Sequence, residues 1–110
     1  MKLPNAERAI IDVEKLRDYC LSESHPRGKH KARVFAAKLG LNAGPANHLR
    51  DAILSAVVTE EAILDERDGY GQRYIVDFLM SYSDNQALVR SAWIIRIGED
   101  MPHLTSCYVL

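Results

Sequence analysis

The 110-residue chain is poor in several things that would have fixed its class at once. It has two cysteines, Cys20 and Cys107, far apart, which make neither a disulfide framework nor a zinc cluster by spacing. Both read as reduced core thiols of a cytoplasmic protein. No run approaches the ~20 apolar residues that a membrane span needs, and the start, Met1-Lys2-Leu3-Pro4-Asn5-Ala6-Glu7-Arg8, has no secretory apolar core. A cytoplasmic protein without membrane contact is therefore expected. Four histidines occur, but no Asp or Glu at metal-ligand spacing accompanies them, so no metal and no cofactor is expected. There is no Gly-x-Ser-x-Gly elbow of a serine hydrolase. The one Gly-rich piece, Gly69-Tyr70-Gly71, is too short and too acidic in its surroundings to cradle phosphate, and reads as a hairpin turn. Net charge is scarce too: −1, which argues against a protein that coats DNA by charge alone.

What charge there is lies unevenly. Residues 22–38 carry five bases (Arg27, Lys29, Lys31, Arg33, Lys38) against Glu23, and residues 60–70 carry five acids against Arg67. The basic stretch centres on His25-Pro26-Arg27-Gly28-Lys29-His30-Lys31-Ala32-Arg33. It runs into the apolar pattern Ala32, Phe35, Ala36, Leu39, spaced i, i+3, i+4, i+7, so its cations fall on a loop and the first turn of a helix. A helix N-terminus prefers acids by about 0.3–1 kcal/mol per charge. Cations there, beside free backbone N–H groups, suit an anion such as phosphate. A plain solvated basic face is the competing interpretation.

The chain is long enough for one domain, 1–110, with a mainly helical half over 1–59 and a sheet half over 60–110. Its 47% hydrophobic content can fill one core. Residues 1–10 look irregular. Asp12 is a good N-cap for a first helix over about 12–21, and Val13, Leu16, Tyr19 and Cys20 make its apolar stripe. Pro26 keeps His25 extended on a loop. The second helix is expected over 29–39, stopped by Gly40. Gly44-Pro45 opens a third, with Leu49, Ala52, Ile53, Ala56 and Val57 as its stripe, ending near Thr59, and His48 and Arg50 on the solvent side.

After residue 60 the period falls to two. Ala62-Ile63-Leu64 reads as a short strand, Asp68-Gly69-Tyr70-Gly71 as a turn, and 72–82 as a long strand with Tyr74, Val76, Phe78, Met80 and Tyr82 on one face. Ser83-Asp84-Asn85-Gln86 is read as the next turn. Residues 87–97 form a strand with Val89, Ser91, Trp93, Ile95 and Ile97 opposite Leu88, Arg90, Ala92, Ile94 and Arg96. Residues 104–109 form the last strand, with His103 in the loop before it. Short connections require antiparallel pairing. The expected fold is α+β, N-terminal helices packed on a four-stranded antiparallel sheet whose long strands are central. Arg90 and Arg96 would then line the free face if Trp93 faces the core.

In that arrangement histidines and cations from the helical half meet hydroxyls from the sheet. The last strand places Thr105 and Cys107 on one face, Ser106 and Tyr108 on the other. Histidine as general base, a second His, Lys or Tyr as acid, and Arg or Lys on the phosphate suffice for metal-free RNA cleavage, because the 2′-hydroxyl of RNA is itself the nucleophile.

The opening Leu3-Pro4-Asn5-Ala6-Glu7-Arg8-Ala9, the central His25-Pro26-Arg27-Gly28-Lys29-His30-Lys31-Ala32 and the ending Leu104-Thr105-Ser106-Cys107-Tyr108 resemble a family of small bacterial domains of unknown function. Members stand free or end larger toxin-like or phage-head-type chains. The order of helices before four strands, with a terminal Thr and Tyr, is more distantly similar to the barnase, EndoU, colicin and RelE group of RNases. That resemblance implies functional positions at His25, Lys29, His30, Thr105, Ser106 and Tyr108, the histidines and hydroxyls as catalytic groups; the basic pattern itself puts Arg27, Lys29, Lys31, Arg33, Arg90 and Arg96 on RNA phosphate. The resemblance further implies a bacterial toxin-type endoribonuclease, RNA as partner, and a small acidic antitoxin-like protein as a second partner. Phage-type members end in Thr-Ala-Tyr-Pro, whereas here Ser106 and Cys107 separate Thr105 from Tyr108 and no proline follows. The rival expectations from the same basic patch are a non-catalytic interaction module and a phosphate-ligand binding protein.

Overall fold

The structure is a computed structural model; it describes residues 1–17, 29–40 and 46–110, the side chains of Lys29 and His30 excepted. After a single 3-10 turn at Ala6–Arg8, the described elements run in the order α1 (Val13–Lys15), α2 (Lys29–Leu39), α3 (Ala46–Val57), β1 (Ala62–Arg67), β2 (Gly71–Tyr82), β3 (Asn85–Arg96) and β4 (His103–Val109). The four strands form one antiparallel meander in the order β1-β2-β3-β4. The expected α+β layering and the central position of the two long strands are both found.

The local chemistry explains the helices. The Asp12 carboxylate accepts from the Glu14 and Lys15 amides, which starts α1 where the N-cap rule puts it. The turn continues through 16–17, and the rest of the expected 12–21 helix lies outside the described residues, as do Cys20, His25, Arg27 and Pro45. The α2 helix matches the expected bounds. Gly40 follows it at φ +70° and donates to the Ala36 carbonyl, the left-handed stop that glycine adopts without a Cβ penalty. Ala32, Phe35 and Leu39 of α2, and Leu49, Ile53 and Val57 of α3, are buried, so both apolar stripes face inward. From the sheet they meet Tyr74, Val76, Phe78, Met80, Val89, Trp93, Leu104 and Cys107. Ser91 lies within this core. Its hydroxyl donates to the Val76 carbonyl at 2.7 Å and accepts from Trp93 Nε1 at 2.9 Å, so neither polar group is left unpaired.

Residues 1–10 are irregular as expected apart from the single 3-10 turn and a parallel bridge from Ile10 to His103, and Leu3 packs in the core. Three expectations are corrected. The β1 strand runs to Arg67, not Leu64; its polar second half is tolerated because an edge strand needs backbone pairing and not two apolar faces. His103 opens β4 instead of sitting in the loop, and Ile97 lies beyond the end of β3. The turn between β2 and β3 has two residues, Ser83 and Asp84, with Ser83 at φ 55°, and Asn85 already pairs with Tyr82. Side-chain hydrogen bonding lets Ser and its neighbours hold such tight turns. That last difference moves the whole register, as the site shows.

Candidate functional site

Helices cover one face of the sheet. The other carries Ile75, Asp77 and Leu79 from β2, Leu88, Arg90, Ala92 and Ile94 from β3, and Ser106 and Tyr108 from β4, by their pairing opposite one another. Trp93 is fully buried on the helical side, so Arg90 and Arg96 do point to the free side as expected.

Five side chains from four elements meet at the β4 end of this face. Lys31, in the first turn of α2, donates from Nζ to Ser106 Oγ at 3.0 Å. The same ammonium stands 4.9 Å from the centre of the Tyr108 ring, in cation–π range. Arg90 pairs directly with Tyr108 across β3 and β4, so the two side chains share the free face. On its other side Arg90 gives Nε and Nη2 to the two carboxylate oxygens of Asp77, both at 2.9 Å. This bidentate pair raises the guanidinium above its already high ordinary value, with Tyr108 contributing further, so Arg90 stays charged. Tyr108 thus lies between two cations, one held rigid by a carboxylate and one on a helix end.

Arg90 is less available than the sequence suggested, since two of its nitrogens are committed to Asp77. The ion pair escaped detection for a geometric reason. A four-residue turn at 83–86 would set Asp77 opposite Ala92, whereas the observed two-residue turn sets it opposite Arg90. Turn length decides cross-strand partners.

The terminal strand holds a second correction. Leu104 pairs with Trp93 and Cys107 with Ser91, both buried on the helical side, and the register shifts between them. Two residues, Thr105 and Ser106, therefore fill the space of one, as in a β-bulge. Thr105 does not share the face of Cys107. Its hydroxyl donates to the Ala92 carbonyl at 3.1 Å, and it lines a depression of about 260 Å³ on the free side with Tyr70, Arg73, Ile94 and Arg96.

The remaining predicted residues are scattered or lie outside the described parts. Lys29 and His30 begin α2 in the same turn as Lys31. Arg33 is exposed on the same helix. Arg96 is exposed, with Nη1 at 3.8 Å from Glu99. His103 Nε2 stands 3.5 Å from the same carboxylate. The His48 and Tyr82 rings meet nearly perpendicular, with centres 4.9 Å apart. Among the described residues no group of three His, Cys, Asp or Glu is arranged to hold a metal ion. A larger cavity of about 350 Å³ at the far end of β2 and β3 shares only Arg96 with the predicted set.

Sequence reasoning missed Asp77, and it missed Asp68 and Arg73. Asp68 accepts from the Tyr70 and Gly71 amides and from Arg73 Nε at 2.7 Å. These contacts, Arg73 first and the Tyr70 amide next, hold its carboxyl below the usual aspartate value. Asp at the start of a turn was a legible signal for the amide contacts.

No curated protein and no solved structure matches the chain. One family model does, over residues 2–110. The match spans the 3-10 turn, the helices and all four strands, the cluster around Tyr108 included, and the chain accordingly belongs to the family described as Domain of unknown function (DUF6883).

Proposed function

We propose that the protein is a metal-independent endoribonuclease of the bacterial toxin type. The observation that carries this reading is the contact of Lys31 with Ser106 and Tyr108. It joins the basic helix start to the terminal strand, two stretches that are 75 residues apart for Lys31 and Ser106. The functional role of each group follows from its chemistry. Lys31, with Arg27, Lys29 and Arg33 from the same basic stretch, holds the scissile phosphate. Arg90 assists from the sheet with the nitrogen that Asp77 leaves over, and Arg96, six residues further along β3, contacts a flanking phosphate and not the scissile one. His25 or His30 takes the proton of the RNA 2′-hydroxyl, whose oxygen attacks phosphorus. The bond to the 5′-oxygen breaks, and that oxygen receives a proton from Tyr108 or the second histidine. The products are a 2′,3′-cyclic phosphate and a 5′-hydroxyl. Thr105 and Ser106 orient the 2′-hydroxyl and a phosphate oxygen.

No step uses a metal, so cleavage of RNA should be unchanged by EDTA, while DNA and 2′-O-methyl RNA should resist. The rate should pass through a maximum with pH, since ordinary histidine titrates near ~6.5. Of His25→Ala and His30→Ala, the variant that removes the base should lower kcat by roughly 10²–10⁴-fold. Lys31→Ala should weaken RNA binding and flatten its salt dependence through lost counterion release. Purified protein that cleaves no RNA at any pH, with or without a partner separated from it, would sink the reading.

One observation favours the second reading, a non-catalytic interaction module. Leu79 and Leu88 pair across β2 and β3 beside the cluster and are 62% and 46% exposed. Contiguous apolar side chains on a free face suit a protein partner, such as a small acidic antitoxin-like one that would cover the cations too. A partner held through the apolar contact would keep its strength in high salt, unlike phosphate binding.

A further inference from the structure

We propose that the depression between the β1–β2 turn and the bulge of β4 is a stacking subsite for an unpaired base of a nucleotide flanking the scissile phosphate. This rests on the RNA-cleaving reading above and adds to it the form of the substrate: a single strand that runs along β3 and β4.

The lining has the character of a base site and not of a phosphate site. Its floor is Ile94, only 3% exposed although it lies on the face turned away from the helices. Its wall is Tyr70, which is 75% exposed. An aromatic ring left in water gains nothing for folding, yet the turn that carries it is fixed from four directions. Asp68 Oδ1 accepts from the Tyr70 and Gly71 amides, Asp68 Oδ2 accepts from Arg73, and the Tyr70 carbonyl accepts from the Ile97 amide at 3.0 Å. The backbone that presents the ring is therefore set before any ligand arrives. Arg73 lies beside it with its charge answered by Asp68, which leaves the guanidinium as a flat surface more than as an anion ligand. Glu99 faces Arg96 at the rim. Carboxylates on both sides disfavour a phosphate inside the depression and leave a neutral base as the fitting group. Aromatic rings with arginine planes are the means by which proteins hold successive bases of a single strand without reading sequence.

The position relative to the cluster sets the geometry of the substrate. Ile94 and Arg90 share a strand and a face, four residues apart, which is about 13 Å along an extended strand. A mononucleotide on Lys31 and Tyr108 cannot bridge that distance, and a short extended strand can. Ser106 and Thr105 lie on the path between, and the bulge turns both of them toward it. About 260 Å³ admits one base edge-on or stacked, and a base held in a duplex would first have to be unstacked and unpaired to enter.

The experiment compares a dinucleotide with a hexanucleotide that carries the same cleavable step centrally, on wild type, Tyr70→Ala and Tyr70→Phe. The expected result is a better kcat/KM for the hexanucleotide in wild type. Tyr70→Ala should raise the hexanucleotide KM by about 5–150-fold, the range of a lost base stack, with kcat kept and the dinucleotide unaffected. Tyr70→Phe keeps the ring and should behave as wild type. Equal kcat/KM for the two substrates, an equal effect of Tyr70→Ala on both, or a loss in Tyr70→Phe as large as in Tyr70→Ala would overturn the subsite while leaving the nuclease standing. Cleavage of neither substrate by wild type would overturn the nuclease reading and the subsite with it.

Discussion

The two edges of the sheet are built on opposite terms. The β4 edge is backed. The α2 helix packs on β4 and β3, Lys31 reaches Ser106 and Tyr108, Asn85 Nδ2 ties the Leu39 carbonyl to the start of β3, and Ile10 hydrogen-bonds Pro102 and Leu104 at the other end. The β1 edge is bare. Only Ala62 of its six residues is buried, the Ala62 amide goes to the Met1 carbonyl, and Ile63 and Leu64 stand in solvent among Asp65, Glu66 and Arg67. Charges and a register shift between Leu64 and Arg67 are what guard this edge against pairing with another chain. The difference teaches where chemistry can be placed. The Lys31, Ser106 and Tyr108 side chains meet where a helix fixes both the strand and its neighbours. The β1 edge has no such support.

The largest effect that would break this comparison is in the packing. Phe35 anchors α2 and is fully buried, so Phe35→Ala should destabilise by about 3–5 kcal/mol, by lost transfer energy plus the cavity left. Ile63→Ala on the bare edge should stay within about 0.5 kcal/mol. Denaturant unfolding of both variants checks the pair, and equal costs would mean that β1 is packed after all.

A smaller effect is expected at the turn that joins the bare edge to the core. A Cβ on Gly71 would lie 2.2 Å from the Ile95 carbonyl oxygen, and backbone cannot step aside as a side chain can. Gly71→Ala should cost about 1–3 kcal/mol by overpacking, read from the same unfolding curves. Because Gly71 pairs with Arg96, it should also disturb the depression beside Tyr70. Unchanged stability would show that the hairpin shifts freely.

The smallest expected effect sharpens the contrast between polar and apolar support. The Asp68 carboxyl is held below its ordinary value of 3.8, chiefly by Arg73 and then by the Tyr70 amide. A carboxylate lowered in the folded state contributes stability that is present above the ordinary value and is lost as pH falls through the lowered one. Stability of the wild type should therefore decline in the acid range more than that of Asp68→Asn, and the two curves should run parallel near neutrality. Coincident acid limbs would remove Asp68 as an anchor of the turn.

Much of the fold was legible because its signals are local. The stripe Ala32, Phe35, Leu39 gave α2 with its bounds, Asp12 and Gly40 marked a start and a stop, and strict alternation gave β2. The candidate site was legible as a set of residue types and not as an arrangement. Lys31, Ser106 and Tyr108 each suggest function by residue type, for separate reasons, and nothing in their spacing along the chain says that they touch. Asp77 gives no such signal, because a carboxylate amid apolar residues on a strand shows its partner only when the register is known.

Two properties mark the division. The sequence by itself determined that helices precede a four-stranded meander, because short connections allow only antiparallel neighbours and apolar period tells helix from strand. Tertiary structure alone decided which groups meet on the free face of that sheet. A two-residue turn set Asp77 against Arg90, and a bulge turned Thr105 away from Cys107. Both features depend on where backbone hydrogen bonds form between distant strands. A shift of one or two residues there costs little in local conformation, yet it reassigns every side chain that follows.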